Sequence, residues 1–408
     1  MRPGVVAASV LLLVVTLSVE AVGKADRNSE KETHWVGSWA SSPELADANS
    51  MPPAPGFTNC TLRQVVHLSV GGSQIRVRFS NTFGSTALTI SSARVAKALK
   101  NGSIEPESDR PLSFQGQPST TVPEGALVYS DPVSFDAASL SDLAVTIYLR
   151  SAPEAVTTHD GAKATSYLVR GDEVSAAELP SAQTTEHWYF LNGVDVLAGN
   201  SAAVAVLGDS ITNGRNSTIN ENHRWTDDLA ERLHADKHTM RIGVLNEGIG
   251  GNRLLHDGLG PNALARLDRD VLAQTGEHWL IVLEGVNDIG TCKEECDLDS
   301  TAQGIIGAYE QIITRAHSHG IRVFGATITP FGASFYFRPD AERARQTVNN
   351  WIRISGKFDA VIDFDAVMRD PQNPSNLAPA GDSGDHLHLS DAGYKMMADS
   401  VNLKLFKN

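Results

Sequence analysis

The sequence is poor in cysteine and has no cluster of basic residues. Three cysteines in 408 residues do not make a small disulfide-stapled domain, and a chain of this length favours two sizeable hydrophobic cores. Lys and Arg number 34 against 48 Asp and Glu, which gives a formal net charge of -14. Because affinity for a phosphate backbone comes from clustered Lys and Arg, we expect no nucleic-acid partner.

Long apolar runs are absent after the first 23 residues. Arg2 supplies a positive start, residues 5–19 are apolar apart from Ser and Thr, and Ala21-Val22-Gly23 has the small residues of a cleavage site. We therefore interpret residues 1–23 as a signal peptide and expect a secreted protein, extracellular or periplasmic, with no membrane association after cleavage. The alternative is a membrane anchor, for which a run of about 15 apolar residues is short.

Secretion gives a meaning to the spacing of the cysteines. Cys292 and Cys296 lie four residues apart in a polar loop, where a local disulfide can form, and Cys60 is then left over. Two thiols without a nearby histidine pair do not complete a tetrahedral zinc site. Three Asn-x-Ser/Thr sequons are glycosylation acceptors only where the host glycosylates, at Asn59, Asn101 and Asn216.

The apolar pattern changes near residue 200. After a linker at residues 24–34, apolar and polar residues alternate in short strands, so residues 35–200 are predicted to form an N-terminal antiparallel β-sandwich domain. Within it, alternating segments on both sides of Gly71-Gly72 predict a hairpin with one solvent-exposed face. Residues 201–408 instead alternate strands with helices, and we expect them to form a second domain.

Five short apolar strands in this second half are separated by helical segments, which predicts a parallel sheet covered by helices on both faces. In such sheets ligands bind at the carboxyl ends of the strands, so these ends are where a site is expected. The predicted strands are residues 203–207, 242–245, 279–283, 321–328 and 360–364.

Each of the first three strands ends in a polar or glycine-rich motif. Gly208-Asp209-Ser210 places a serine between a strand and a helix, where it suits a nucleophile, although a helix-capping serine is the alternative. The seven residues at 246–252 contain three glycines, which let a backbone N–H approach a ligand; a flexible turn is the alternative. Arg253 stands where a dinucleotide-binding loop needs glycine. Gly285-Val286-Asn287-Asp288 offers an amide donor, or a plain turn.

A fourth motif, Asp385-His386-Leu387-His388, precedes the last predicted helix. Residues three apart face each other on a helical turn, so Asp385 can accept a hydrogen bond from Nδ1 of His388 and leave Nε2 free to take a proton. A surface Asp–His pair is the alternative. Together, the four motifs supply the parts of a serine hydrolase.

These four motifs resemble those of the SGNH, or GDSL-type, esterases, over residues 203–408. The whole chain is similar to a subgroup of secreted acylhydrolases in which a β-rich domain precedes the catalytic one. The resemblance implies a three-layer α/β/α, flavodoxin-like catalytic domain that needs no metal or organic cofactor. Gly250 stands where the family often has serine. The roles implied are catalysis by Ser210, His388 and Asp385, and an oxyanion hole formed by the backbone N–H groups of Ser210 and Gly251 and the amide of Asn287.

The resemblance predicts a secreted serine esterase that removes short acyl or acetyl groups from polysaccharides or aryl esters. Its partner would be a small-molecule or glycan ester, and the oligomeric state stays open. One alternative is a GDSL-type lipase or lysophospholipase, for which residues 331–337 are the aromatic-rich stretch able to form a lipid-facing rim. Another is a non-catalytic carbohydrate-binding protein on the same scaffold.

Overall fold

The structure is a computed structural model that describes Met1 and residues 33–54, 56–293 and 296–407. The predicted signal peptide lies, apart from Met1, outside the described residues. Residues Thr33–Asn408 make one compact unit. Among the described residues, no helix is both long and apolar enough to cross a membrane.

The first part of the chain is built from antiparallel strands. The strands are β1 Thr33–Ala40, β2 Glu44–Leu45, β3 Cys60–Leu68, β4 Gly72–Ser80, β5 Leu88–Lys97, β6 Arg110–Pro111, β7 Thr120–Val122, β8 Leu127–Tyr129, β9 Val133–Ala137, β10 Ser141–Leu149, β11 Thr157–His159, β12 Ser166–Arg170, β13 Gln183–Thr185, β14 Trp188–Tyr189 and β15 Leu191–Gly199. They form three sheets, with the orders β1-β15-β4-β8 with β9 on β4, β13-β12-β3-β10-β5-β6 with β7 on β5, and β14-β11-β2.

The predicted hairpin around Gly71-Gly72 is wrong, because β3 and β4 belong to different sheets. The two glycines are needed for close backbone approach instead. A Cβ on Gly71 would lie 2.4 Å from the carbonyl oxygen of Ala137, and one on Gly72 would lie 2.7 Å from that of Leu197. They let the chain pass from one sheet to the next in a space that no side chain fits.

The second part is a five-stranded parallel sheet. Its strands are β16 Ala202–Gly208, β17 Ile242–Gly248, β18 Glu277–Leu283, β19 Arg322–Ala326 and β20 Ala360–Ile362. Their order in the sheet is β17-β16-β18-β19-β20. The helices are α1 Ser210–Asn213, α2 Trp225–Ala235, α3 Ala263–Leu267, α4 Val286–Gly290, α5 Leu298–Ser318, α6 Pro339–Ile354, α7 Phe364–Met368 and α8 Asp391–Ser400. A π-helical turn, Asp268–Leu272, continues α3, and a 3-10 turn, Leu403–Phe406, follows α8.

The register of the parallel sheet brings the first three motifs to one edge. Gly208 at the end of β16 pairs with Gly248 of β17 on one side and with Leu283 of β18 on the other. The residues that follow these three strand ends are therefore neighbours. The expected location of the site follows from the pairing alone.

The α/β class with an N-terminal β-rich region is confirmed. The chain leaves the antiparallel sheets at Gly199 and enters the parallel sheet at Ala202. The predicted strand at 360–364 ends earlier, at Ile362, because the side chain of Asp363 accepts a hydrogen bond from the backbone N of Ala366 and caps α7. The sandwich packing, the three-layer arrangement and the domain boundaries stay predictions.

Candidate active site

Ser210 begins α1, two residues after the end of β16. The preceding residue, Asp209, caps this helix by accepting a hydrogen bond from the backbone N of Ile211 at 2.9 Å. A Cβ on Gly208 would lie 2.1 Å from Oγ1 of Thr212, so only glycine fits at this tight strand-to-helix turn. The turn leaves Ser210 6% exposed at the carboxyl edge of the sheet.

Ser210, His388 and Asp385 lie within hydrogen-bonding distance of one another. Oγ of Ser210 is 2.8 Å from Nε2 of His388, and Nδ1 of His388 is 2.7 Å from Oδ2 of Asp385. With Nδ1–H donating to the carboxylate, Nε2 is left to accept the serine proton. The structure thus brings together three residues that are up to 178 positions apart in the chain.

The electrostatics of this pair favour a neutral imidazole beside an ionised carboxylate. Burial raises the pKa of Asp385, but hydrogen bonds from the backbone N and ring of His388 and from the backbone N of Leu387 outweigh it and hold the pKa well below its usual range. Burial lowers the pKa of His388, and Asp385 offsets this only in part. At neutral pH His388 is therefore available as a base.

Asp385 and His388 do not face each other on a helical turn, as the sequence predicted, but across a bend ahead of α8. His386 between them has φ of +61°, which a right-handed helix does not allow. Its ring turns away, and its Nδ1 lies 2.6 Å from Oδ2 of Asp382. The sequence predicts the hydrogen bond between Asp385 and His388 but not the backbone conformation of the segment that joins them.

Asn216 is a contact of the carboxylate that sequence reasoning missed. Its Nδ2 donates to Oδ2 of Asp385 at 3.0 Å and to Oγ of Ser383 at 2.8 Å. In the sequence Asn216 had stood out only as a glycosylation sequon. The same Nδ2 is the atom to which an N-linked glycan would be attached.

Asn287, one of the other two predicted oxyanion donors, contacts the residue that follows Gly251, the second of them. Gly251 has φ of +73°, a conformation that glycine adopts without strain. Nδ2 of Asn287 donates to the backbone oxygen of Asn252 at 2.9 Å. The backbone N of Ile249 donates to the oxygen of Gly208 at 3.0 Å, so the second motif is tied to the serine turn as well.

A buried arginine, Arg266, donates hydrogen bonds to the backbone at the ends of the strands that precede these loops. It is 1% exposed and donates to the backbone oxygens of Gly208 at 3.0 Å and Glu247 at 2.7 Å. It also donates to Oδ1 of Asn252 at 2.9 Å and to Oδ2 of Asp270 at 3.2 Å. One guanidinium therefore holds the ends of β16 and β17 and the loop that carries Gly251. Nothing in its sequence context pointed to this role.

Two further features lie near the site. Cys292 and Cys296, just after α4, form the predicted disulfide, and Cys60 is free and buried. Nε2 of His159, from the β-rich region, lies 2.9 Å from Oδ1 of Asn213 at the end of α1 and does not contact Ser210. Among the described residues, no group of three or more His, Cys, Asp or Glu side chains is arranged to hold a metal ion.

A cavity of about 600 Å³ lies between the β-rich region and the parallel sheet. Trp39, His67 and Trp188 line it from one side, and Asn213 and Asn246 from the other. Ser210, His388 and Asp385 do not line it. The site is therefore defined by its hydrogen bonds and by the sheet edge, and this cavity is a separate feature.

One family of known proteins matches part of the chain. Residues 206–396 match the GDSL-like Lipase/Acylhydrolase family. None of the curated proteins compared with the chain matches it significantly.

Several solved structures resemble about half of the chain. A GDSL-like lipase from Bacteroides thetaiotaomicron is 19% identical with a TM-score of 0.35, covering 48% of this chain and 84% of its own. A carbohydrate acetylesterase from Sinorhizobium meliloti is 17% identical with a TM-score of 0.39, covering 50% and 99%. An aryl esterase from M. smegmatis is 16% identical with a TM-score of 0.40, also covering 50% and 99%. Similarity at this level is no guide to the substrate.

A Ser–His–Asp arrangement at the carboxyl edge of a parallel sheet is that of a hydrolase acting through a serine. Together with the match over residues 206–396, this arrangement identifies the chain as a carboxylic ester hydrolase.

Proposed function

We propose that this protein is a secreted serine esterase that hydrolyses short-chain carboxylic esters through an acyl-enzyme. The observation that carries the proposal is the pair of contacts from Oγ of Ser210 to Nε2 of His388 at 2.8 Å and from Nδ1 of His388 to Asp385 at 2.7 Å. A carbohydrate-binding protein has no need of this arrangement, which disfavours the non-catalytic alternative.

The mechanism follows from these contacts. His388 takes the hydroxyl proton of Ser210 as Oγ attacks the ester carbonyl, and Asp385 stabilises the imidazolium that forms. The backbone N–H groups of Ser210 and Gly251 and the amide of Asn287 bind the oxyanion. His388 then gives its proton to the leaving alcohol, and water activated by the same imidazole releases the acid and frees Ser210.

Replacement of Ser210 tests the catalytic assignment. Ser210→Ala is expected to slow the hydrolysis of an aryl acetate by at least about 1000-fold, because it removes the hydroxyl that lies 2.8 Å from Nε2 of His388. Asn287→Ala should lower turnover by about 100-fold to 1000-fold without unfolding the protein. Ser318→Ala, at an exposed serine at the end of α5, serves as the control and should retain full activity. Equal product release by wild type and Ser210→Ala would refute the assignment.

The preference for short acyl groups, carried on polysaccharides or aryl alcohols, is part of the proposal. Only part of the aromatic-rich stretch that would favour a lipase is exposed to solvent: Phe331 is buried, and Phe335 and Phe337 are exposed. The net charge of -14 also disfavours approach to anionic lipid surfaces. Rates measured against acyl chain length decide between the two functions, since a maximum at long chains would establish the lipase.

Export is likewise proposed, on the signal-peptide pattern of residues 1–23 and on the Cys292–Cys296 disulfide, since disulfides persist in oxidising compartments. N-terminal sequencing of the protein from culture medium or periplasm should begin near residue 24. Retention of residues 1–23 on a protein found inside the cell would contradict export.

A further inference from the structure

The loop between β19 and α6 lies against the helix that carries Asn287. From this loop, the hydroxyl of Tyr336 donates to Oδ1 of Asn287 at 2.9 Å. The ring of Tyr336 lies over Gly290, where a Cβ would come within 2.2 Å of it. Burial, and then the charge of Asp209, raise the pKa of Tyr336, so the hydroxyl keeps its proton and remains a donor.

The orientation of the Asn287 amide decides whether it can stabilise an oxyanion. A side-chain amide has two N–H donors on nitrogen and an acceptor oxygen. One N–H of Asn287 is used by the backbone oxygen of Asn252 at 2.9 Å, while Oδ1 accepts from Tyr336. A half-turn of the amide would place Oδ1 against the oxygen of Asn252 and the NH₂ group against the Tyr336 hydroxyl. The observed orientation leaves one N–H for a ligand.

The backbone of the loop is fixed independently of Asn287. The N of Gly332 donates to the oxygen of Ser375 at 2.6 Å, and a Cβ on Gly332 would lie 2.1 Å from Oδ1 of Asn376. Ala333 has φ of +65°, a region that residues with a side chain rarely adopt. The backbone N of Tyr336 donates to Oγ of Ser334 at 3.2 Å. This unusual conformation directs Tyr336 toward Asn287.

We propose that Tyr336 is a positioning residue that holds the Asn287 amide in its oxyanion-binding orientation. The inference rests on the proposed role of Asn287. Tyr336 acts through the amide alone. The backbone oxygen of Asn252 can only accept and so faces the amide nitrogen, while the hydrogen bond from Tyr336 holds Oδ1 in place. This bond also draws electron density toward Oδ1, which makes the remaining N–H a stronger donor. Its contribution therefore belongs to the transition state and not to substrate binding.

Tyr336→Phe tests the inference, because it removes the hydroxyl and keeps the ring over Gly290. With an aryl acetate we expect kcat to fall about 10-fold while KM stays within about twofold. In an Asn287→Ala background the same substitution should change kcat by less than about twofold, because the group through which it acts is gone. Tyr148→Phe is the matched control: the Tyr148 hydroxyl donates to Oδ1 of Asn59 at 2.7 Å in the β-rich region, so its loss should leave kcat unchanged.

Two results would overturn the inference. The first is an unchanged kcat in Tyr336→Phe. The second is an equal loss in the wild-type and Asn287→Ala backgrounds, which would show that Tyr336 acts elsewhere. Thermal unfolding of each variant checks that the fold is retained. If Ser210→Ala remains fully active the proposed function itself fails; if Ser210→Ala is inactive, Asn287→Ala is impaired and Tyr336→Phe is normal, only the role of Tyr336 fails.

Discussion

At the scale of single residues, five hydrogen bonds converge on the carboxylate of Asp385. They come from the backbone N of Leu387 and of His388, the ring of His388, Oγ of Ser383 and Nδ2 of Asn216. A carboxylate with so many donors stays ionised and cannot rotate, and both properties orient the imidazole. Three of the five donors lie in the Asp-x-x-His segment itself, whereas Asn216 lies on the loop after α1.

The contribution of Asn216 can be measured by removing its amide. Asn216→Ala should lower kcat by about 3-fold to 10-fold, because Asp385 loses one donor and keeps its bond to His388. Asn220→Ala is a matched control, since Asn220 lies on the same loop and bonds to Thr165, away from the carboxylate. Steady-state kinetics on an aryl acetate give the comparison. Equal effects of the two substitutions would mean that the loop matters and the amide does not.

At the scale of secondary-structure elements, the site depends on how the ends of β16 and β17 are held. Arg266 bonds to the last residue of β16 and to the next-to-last residue of β17 from a position closed to solvent. Its positive charge is balanced by the fully buried Asp270, whereas burial raises the pKa of the neighbouring Glu284 well above its usual range. Removing Arg266 would take from Asp270 its fully buried cationic partner and would break the bonds to the two strand ends, and breaking a buried pair of this kind is strongly destabilising.

Arg266→Met should therefore lower the free energy of unfolding by about 3 to 5 kcal/mol. Arg269→Met offers the control, because Arg269 pairs with the same Asp270 from a partly exposed position and should cost only about 1 kcal/mol or less. Chemical denaturation of both variants yields the two values. A similar loss in both would show that burial of Arg266 is not the cause.

At the scale of the whole molecule, the two halves share one hydrophobic core. Val36 and Val196 of the antiparallel sheets and Leu245 and Leu280 of the parallel sheet belong to the same buried cluster. The halves also meet through polar contacts, such as the hydrogen bond from the backbone N of Val244 to Oγ of Ser69 at 2.9 Å. The β-rich region is thus part of the support of the catalytic sheet.

Glu44 lies at this junction and makes stability depend on pH. Burial is the main cause that raises its pKa from an ordinary value of 4.5 to about 8. Between these two values the folded protein binds more protons than the unfolded chain, so Glu44 lowers stability as the pH rises, by up to about 1.4 kcal/mol per pH unit. Thermal midpoints measured from pH 5 to 8 should fall less steeply for Glu44→Gln than for wild type. Glu124→Gln, at an exposed site, should follow wild type; parallel curves for all three would contradict the assignment.

How much of the fold and of the site the sequence predicts depends on whether a local pattern marks the interacting residues and on how far apart they lie in the chain. The sequence could place Ser210, Gly251 and Asn287 at one edge of the sheet because each lies within about four residues of a strand end, and parallel pairing puts those ends together. It could not reveal the contacts of Tyr336 and Arg266, because their partners lie 49 and up to 224 residues away and no local pattern marks them. The alternation of apolar and polar residues around Gly71 wrongly predicts a hairpin, because such alternation indicates that a segment is a strand but not which other strand it pairs with.

The contact between Asn216 and Asp385 has a consequence for how the enzyme is produced. A host that adds N-linked glycans would convert the side chain of Asn216 from a primary to a secondary amide, with a single hydrogen left for two acceptors and a bulky sugar beside Asp385. Protein from such a host should turn over more slowly when intact mass shows this sequon occupied, and a bacterial host should give the fully active form. Equal turnover of the occupied and unoccupied forms would contradict this.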